Sequence, residues 1–180
     1  MRTIILGVTG SIAAYKAADL ANQFCKKDYV VHVVMTESAE KFITPMTFQT
    51  LTKQPVLTEM FDGVHYPHEV RHIALGKMAD ALIIAPASAN IIAKLAHGLA
   101  DDMLSTIALV MGEKPIIIAP AMNTRMYHNQ VVQRNINTLK EYGIHIIEPR
   151  SDLLACGDVG TGALASTGDI IHQAESILLK

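Results

Sequence analysis

The chain has 180 residues, half of them hydrophobic and 18% charged, with a formal net charge of −2. A chain of this length buries about 70% of the surface that its unfolded form exposes, so it forms a core without disulfides or a structural metal. With 15 Lys and Arg against 17 Asp and Glu, it has no basic excess for binding a nucleic acid. Its apolar runs are far shorter than the ~20 residues that a membrane span needs.

Short β-branched runs alternate with longer helical patterns, which is typical of βαβ units around a mostly parallel sheet. The patterns predict strands over Thr3–Val8, Val30–Met35, Ala81–Ala85, Pro115–Ala119 and His145–Ile147. They predict helices over Ser11–Lys26, Pro45–Leu51, Ile73–Met78, Asn90–Ala96, Asp102–Met111, Asn129–Tyr142 and Asp169–Leu179. The strands are apolar throughout, as expected where helices cover both faces of a sheet. We therefore predict an α/β fold of three layers, with a Rossmann-like (flavodoxin-like), doubly wound, mostly parallel sheet, in one domain over residues 1–180.

Two stretches, 53–71 and 149–168, show neither pattern and are predicted to be long loops, which in compact domains are usually functional or mobile. The first apolar run ends at Gly7 and Gly10, before a signal-peptide core forms, so we expect a cytoplasmic protein. In that compartment its two cysteines, Cys25 and Cys156, are expected to be reduced.

Ligands of such sheets bind beyond the carboxyl ends of the strands, so the loops that follow strands are informative. In the first loop, Gly7 and Gly10 allow a tight turn, and Thr9, Ser11 and the N–H groups of the following helix offer donors to a phosphate. The spacing is neither the dinucleotide fingerprint nor a Walker A loop. The hydroxyls of Thr36 and Ser38 after the second strand favour a mononucleotide. A turn that only caps the helix explains the first loop equally well.

The third and fourth strands run into similar loops, Pro86-Ala87-Ser88-Ala89-Asn90 and Pro120-Ala121-Met122-Asn123. Each presents a proline, small residues and an Asn, so that backbone groups and an amide can meet a flat polar ring edge. Capping of the following helices by Ser88 and Asn123 is the simpler interpretation, and it is compatible with binding.

Three histidines, His65, His68 and His72, lie close together, but Pro67 interrupts any regular helix and no second cluster completes a ligand set. We therefore predict no metal site. His72 directly precedes a short apolar segment, and a histidine there suits proton transfer, although a packed or exposed bystander has the same signature.

The cysteines differ in their surroundings. Cys156 lies in the glycine-rich late stretch, where a thiol can close over a bound ligand and deliver a proton. Cys25 lies in a helical pattern and is predicted to pack in the core.

Together these loops resemble those of the flavin-dependent cysteine decarboxylases, and most closely the branch that acts in coenzyme A biosynthesis. The resemblance spans nearly the whole chain. It rests on five motifs in one order: Gly10-Ser11-Ile12-Ala13-Ala14-Tyr15-Lys16, His72-Ile73, Pro86-Ala87-Ser88-Ala89-Asn90, Pro120-Ala121-Met122-Asn123-Thr124-Arg125-Met126 and Ala155-Cys156-Gly157-Asp158.

The resemblance implies FMN as the cofactor, contacted by Gly10, Ser11, Ile12, Thr36, Ser38, Ser88, Ala89, Asn90 and Ala121. It implies that the substrate contacts Asn123, Met126, Ala155, Cys156, Gly157 and Asp158. It also implies a homo-oligomer, a trimer or a dodecamer of stacked trimers, with FMN sites between neighbouring subunits. In many bacteria this domain is fused to the ligase that makes its substrate, whereas here the chain stops near Lys180, so we expect a stand-alone form linked functionally to a separate ligase.

The implied reaction decarboxylates 4′-phospho-N-pantothenoylcysteine to 4′-phosphopantetheine. Oxidising the thiol to a thioaldehyde by hydride transfer gives the electrons of the departing carboxylate an acceptor. In the family, a histidine matching His72 assists the oxidation and an asparagine matching Asn123 grips the carboxylate. A cysteine matching Cys156 supplies a proton when the hydride is returned.

Four positions depart from the family pattern: Ala74, Ile91, Tyr127 and Ala163 stand where Glu, Thr, Trp and Arg are usual. Because the usual Arg is absent, substrate binding by the late loop is the role that the resemblance supports least.

Three other functions stay open at this point. A peptidyl-cysteine decarboxylase of the lantibiotic-modifying type releases an enethiol and needs no proton donor for a reducing step, so the motif around Cys156 favours the coenzyme A branch. A flavin prenyltransferase would not need both His72 and Cys156. A non-catalytic FMN-binding regulator or electron carrier shares the fold but does not need the chemical residues.

Overall fold

The structure, a computed structural model, describes residues 1–60, 71–155, 157 and 159–179. Its strands are β1 (Thr3–Val8), β2 (Val30–Met35), β3 (Ala81–Ala87), β4 (Ile116–Pro120), β5 (His145–Ile146), β6 (Arg150–Leu153) and β7 (Val159–Ala163). Its helices are α1 (Ala14–Lys26), α2 (Glu37–Glu40), α3 (Pro45–Thr52), α4 (Arg71–Met78), α5 (Ala89–His97), α6 (Met103–Val110), α7 (Thr124–Tyr127), α8 (Gln130–Glu141) and α9 (Thr167–Leu178). Within the described ranges, none of these helices is both long and apolar enough to cross a bilayer.

The first five strands form one sheet in the order β2-β1-β3-β4-β5, and every neighbouring pair is parallel. This is the flavodoxin-like strand order, in which the direction of winding reverses between β1 and β3. The predicted fold class is therefore confirmed. A ligand site is expected at the reversal point, beyond the carboxyl ends of these two strands.

Burial on both faces explains why the strands are apolar throughout. Ile4 and Leu6 of β1 pack in a core cluster under α1, α3 and α9, whereas Ile5 packs in a second cluster under α4, α5, α6 and α8. All three side chains are fully buried. Successive residues of a strand point to opposite faces, so each face needs its own apolar set, and each such side chain contributes about 1.5–3 kcal/mol.

The helices show two differences from the prediction. The first helix begins at Ala14 rather than Ser11, because a turn precedes it in which the Ala14 N–H donates to the Ser11 carbonyl. The one-turn helices α2 and α7 were not predicted, because four residues are too few to show a helical period.

The two stretches predicted as loops are also partly ordered. In the first, the Leu57 N–H donates to Val33 O over 3.0 Å, so the chain runs briefly alongside β2. In the second, β6 and β7 form an antiparallel hairpin. Apart from Leu153, Val159 and Ala163 its residues are polar or glycine, so it lacks the regular apolar alternation that predicts a strand.

One buried hydroxyl joins the ends of β1 and β3. Thr9 is 1% exposed, and its Oγ1 donates to Pro86 O over 2.7 Å and accepts from the Ser88 N–H over 2.9 Å. The prediction that Thr9 offers a donor to a phosphate is therefore wrong, because its hydroxyl proton is already used within the protein.

This arrangement predicts the effect of replacing Thr9. Thr9→Val keeps the shape but leaves Pro86 O and Ser88 N–H without their partner, so we expect a loss of about 2 kcal/mol in the free energy of unfolding. Thr9→Ser keeps the hydroxyl and loses one methyl group, so the expected loss is below about 1 kcal/mol. Urea unfolding of both variants at equal protein and flavin concentration measures this, and equal stability of the two variants would contradict it.

Candidate functional site

Two adjoining cavities open at the carboxyl edge of the sheet. The first has a volume of about 300 Å³ and the second about 450 Å³, and Gly10, Ser88, Ala89 and Met126 line both. Cavities of this combined size are typical of small-molecule sites. Their position is the one that the strand order predicts for a ligand.

The structure brings the predicted cofactor residues together around these two cavities. The first cavity is lined by Gly10, Ser11, Ile12, Ser88, Ala89 and Ala121. The second is lined by Thr36, Ser38 and Asn90, with Gly10, Ser88 and Ala89 again. Three of the predicted substrate residues, Asn123, Met126 and Ala155, line the first cavity.

The turn between β1 and α1 has the geometry of a phosphate cradle. In the described part of the chain, the N–H groups of Ser11 and Ile12 have no hydrogen-bond partner, and they lie at the positive end of α1. A Cβ at Gly10 would lie 2.5 Å from the Cβ of Ser38, so only glycine lets the turn lie against that residue. The phosphate of a mononucleotide fits these groups.

Ser88 and Asn123 are both helix caps that also line the first cavity. Ser88 Oγ accepts from the Ile91 N–H over 3.4 Å, and Asn123 Oδ1 accepts from the Arg125 N–H over 2.8 Å. The capping interpretation is therefore confirmed, and the caps fix the two side chains beside the cavity, where binding stays a prediction.

The β6–β7 hairpin lies directly on the loop that carries Asn123. The Met122 N–H donates to Gly162 O over 2.9 Å, and a Cβ at Gly162 would clash with Met122 O. A Cβ at Gly160 would lie 2.7 Å from Thr124 Oγ1. These glycines permit the close approach that brings Ala155 to the first cavity.

Tyr127, which stands where the family pattern has Trp, fixes the short helix α7. Its side chain is buried, and its hydroxyl donates to Glu148 Oε2 over 2.6 Å. Burial, together with this hydrogen bond, raises the pKa of Tyr127 to about 12. Burial opposes ionisation of Glu148, but hydrogen bonds from Tyr127 and Lys140 hold its pKa below the ordinary value. Tyr127 therefore stays neutral and hydrogen-bonded at neutral pH, and it holds α7 against the segment after β5.

Sequence reasoning missed a charged cluster in the wall of the second cavity. Lys94 is only 15% exposed at its side chain, and its Nζ lies 2.6 Å from Asp101 and 2.7 Å from Asp102. Asp102 also caps α6 through the Ser105 N–H. Burial opposes ionisation of both groups, but their hydrogen bonds raise the pKa of Lys94 and lower that of Asp102. The cap residue was visible in the sequence, but the ion pair with the preceding helix was not.

His72 does not line either cavity. It lies in the first turn of α4, whose far end leads into β3. Because β3 begins at the amino edge of the sheet, the amino end of α4 points to the carboxyl edge, where the cavities open. His72 is therefore at the correct edge but outside the site of its own chain.

Of the remaining predicted site residues, the structure describes Gly157 but not Cys156 or Asp158. Gly157 has a φ of +87° and its N–H donates to Leu154 O, but it lines neither cavity. Cys156 and Asp158 lie outside the described residues, as do His65 and His68. Among the residues that are described, no three His, Cys, Asp or Glu side chains are placed to hold a metal ion.

A larger cavity, of about 610 Å³, lies at the opposite edge of the sheet near the start of β4 and β5. It is lined by Lys114, Tyr142 and His145, among others, and by none of the predicted site residues. The candidate site is therefore chosen by the convergence of the strand-end loops and not by cavity size.

Comparison with known proteins shows the family of the chain. The family model described as Flavoprotein matches residues 1–178. A probable phosphopantothenoylcysteine decarboxylase of Streptococcus mutans is 50% identical over 178 residues, which cover 98% of this chain and 99% of the relative.

Solved structures are similar over nearly the full chain. A Cys-to-Ser mutant of a PPC decarboxylase, complexed with pantothenoylaminoethenethiol, superposes with a TM-score of 0.89 at 33% identity and covers 99% of each chain. The FMN-binding protein AtHal3 superposes with a TM-score of 0.84 at 34% identity, covering 97% of this chain and 95% of that one.

Some relatives are much longer than this chain. The coenzyme A biosynthesis bifunctional protein CoaBC of Bacillus subtilis is 45% identical over 174 residues, but these are 97% of this chain and only 42% of the relative. The matched stretch is thus one part of those proteins. By its match over residues 1–178 and its identity to these relatives, the chain belongs to the flavoprotein family, and its resemblance to phosphopantothenoylcysteine decarboxylases is confirmed.

Proposed function

We propose that this protein decarboxylates 4′-phospho-N-pantothenoylcysteine to 4′-phosphopantetheine in coenzyme A biosynthesis. The observation that carries the proposal is that every predicted cofactor residue and Asn123, the predicted carboxylate contact, line two adjoining cavities at the carboxyl edge. The resemblance to a decarboxylase that covers nearly the full length of both chains supports the same reaction.

FMN is the cofactor that these residues fit. Its phosphate would be held by the N–H groups of Ser11 and Ile12 beside Gly10, with the hydroxyls of Thr36 and Ser38 in the adjoining wall. Its ring would lie against Ser88, Ala89, Asn90 and Ala121. When bound, FMN supplies a hydride acceptor that returns the hydride later, so the overall reaction needs no external oxidant.

The substrate would occupy the first cavity between Asn123 and Ala155. Asn123 would bind the carboxylate, and Cys156 would supply the proton that completes reduction. Met126 is 49% exposed at the rim of both cavities, where a bound substrate would cover its side chain. Gly157 and Asp158 belong to the same binding loop in this proposal.

His72 would act in the site of a neighbouring subunit. It lies outside the cavities of its own chain, and a homo-oligomer, a trimer or a dodecamer of trimers, would deliver it. Two apolar side chains near the first cavity support such a partner, because Ile12 is 59% and Tyr15 61% exposed.

The whole chain, residues 1–180, would act as one flavoprotein domain. A ligase that joins cysteine to phosphopantothenate would supply its substrate. The bifunctional relatives support this link, because the stretch that matches this chain is less than half of their length.

The direct test is an assay of the purified protein. We expect a yellow protein that converts 4′-phospho-N-pantothenoylcysteine to 4′-phosphopantetheine and CO₂ without added oxidant, and that leaves a C-terminal cysteine peptide unchanged. Product is measured by mass spectrometry and flavin by absorbance. A colourless protein without product would overturn the proposal, and release of an enethiol from the peptide would favour a peptidyl-cysteine decarboxylase instead.

Asn123→Asp tests the carboxylate contact against a matched control. Asp caps a helix as well as Asn does, so the fold is preserved, but two carboxylates about 4 Å apart repel by about 4 kcal/mol at an effective dielectric constant near 20. We expect kcat/KM to fall at least about a hundredfold. Asn129 caps α8 in the same way, through the Val131 N–H, and does not line either cavity. Asn129→Asp should keep wild-type kinetics, and similar kinetics of the two variants would remove Asn123 from the site.

Cys156→Ser tests the proton donor of the reducing step. A serine hydroxyl is a much weaker acid than a thiol, so oxidation and decarboxylation should proceed while the reduced product fails to form. Mass spectrometry of the bound product should then find the ene-thiol form, two hydrogens short of 4′-phosphopantetheine. Cys25→Ser is the control and should give the normal product. Normal amounts of reduced product from Cys156→Ser would contradict the assignment.

A further inference from the structure

We propose that Lys114 is a positioning residue for His72, acting through the carboxyl end of α4. The proposal rests on the function proposed above, in which His72 assists oxidation of the substrate thiol. The arrangement that carries it is a lysine from the turn before β4 that binds the last turn of the helix on which His72 lies.

Lys114 closes the end of α4. Its Nζ donates to Gly76 O over 2.8 Å and to Lys77 O over 2.6 Å. The last carbonyl groups of a helix have no partner within the helix, and they carry its partial negative charge. An ammonium group that bridges two of these carbonyl groups supplies their missing hydrogen bonds and fixes the position of the helix end.

The face of α4 that packs on the core is the face that carries His72. Leu75, Gly76 and Ala79 are buried, and His72 precedes them by three, four and seven residues, so the four positions form one stripe. A Cβ at Gly76 would lie 2.7 Å from Val110 Cγ1, so α4 lies in close contact with α6. Rotation of α4 about its axis would break this contact and change the direction in which the His72 side chain points.

The short distance between Gly76 and His72 makes these contacts decisive. His72 lies four residues before Gly76, or about 6 Å along the helix axis. Displacement of the carboxyl end is therefore transmitted to His72, and a misplacement of about 1 Å can cost a large factor in rate.

Lys114 itself is remote from the chemistry. It lines the larger cavity near the start of β4 and neither of the two cavities at the carboxyl edge. A change at Lys114 therefore leaves the proposed cofactor and substrate contacts intact. Both hydrogen bonds of the Lys114 side chain run to α4, so we expect its effect on the reaction to pass through that helix.

The experiment compares Lys114→Met with two controls in the full-length protein loaded with FMN. Methionine keeps the length of the side chain and removes the donors. Lys114→Arg keeps a cation that can reach both carbonyls. Lys26→Met makes the same chemical change in the last turn of α1, where the lysine is exposed. We expect Lys114→Met to lower kcat about tenfold with KM and flavin content within about twofold of wild type, and both controls to stay within about twofold.

A double variant separates positioning from general destabilisation. If Lys114 acts through His72, then Lys114→Met added to His72→Asn causes no further loss of kcat. Losses that multiply, or an unchanged kcat in Lys114→Met, would overturn the proposal.

A second readout does not depend on turnover. The rate at which diethyl pyrocarbonate modifies His72, followed by peptide mass spectrometry, should change in Lys114→Met and not in Lys26→Met. An unchanged rate would overturn the positioning role even if the protein proves inactive. Absence of turnover in the wild type would overturn only the proposed function.

Discussion

The site depends on the single hydroxyl of Thr9, because the sheet is irregular where the ligand would bind. The register between β3 and β4 shifts between Ile84 and Ala87, so the last residues of β3 leave the regular ladder. Their polar groups still need partners, since unpaired buried groups cost about 1–3 kcal/mol each. Thr9 satisfies both Pro86 O and the Ser88 N–H, and it thereby holds the loop after β1 beside the loop after β3.

Close approach of backbone segments is the second constraint. Gly10 lets the first loop contact Ser38, and Gly160 and Gly162 let the hairpin lie on the loop of Asn123. A flat ring bound here would meet walls made of backbone and small side chains, which change shape little on binding. The glycines of the late stretch thus serve contact as well as chain flexibility.

The sequence was most informative where burial is two-sided. Ile4, Ile5 and Leu6 identify β1 because every position is apolar, and the same pattern gives the other four strands of the sheet. The hairpin was missed because its strands carry polar and glycine residues and belong to no core. Residues at strand ends converge because parallel strands end at one edge, so the loops that line the two cavities could be predicted. The ion pair between Lys94 and Asp102 could not be predicted, because it joins two helices across a turn and no periodic pattern in the sequence indicates it.

The cavities open at the carboxyl edge of the sheet, whereas contacts at the amino edge fix one end of α4, which runs between the two edges. At the amino edge, Thr3 and Asp80 exchange two hydrogen bonds, and Lys114 binds the end of α4. These contacts fix the carboxyl end of α4. In the role inferred for Lys114, they thereby also set the position of His72. In the proposed assembly His72 acts in a neighbouring subunit, so the loops of its own site would not hold it and its position would depend on contacts at the opposite edge.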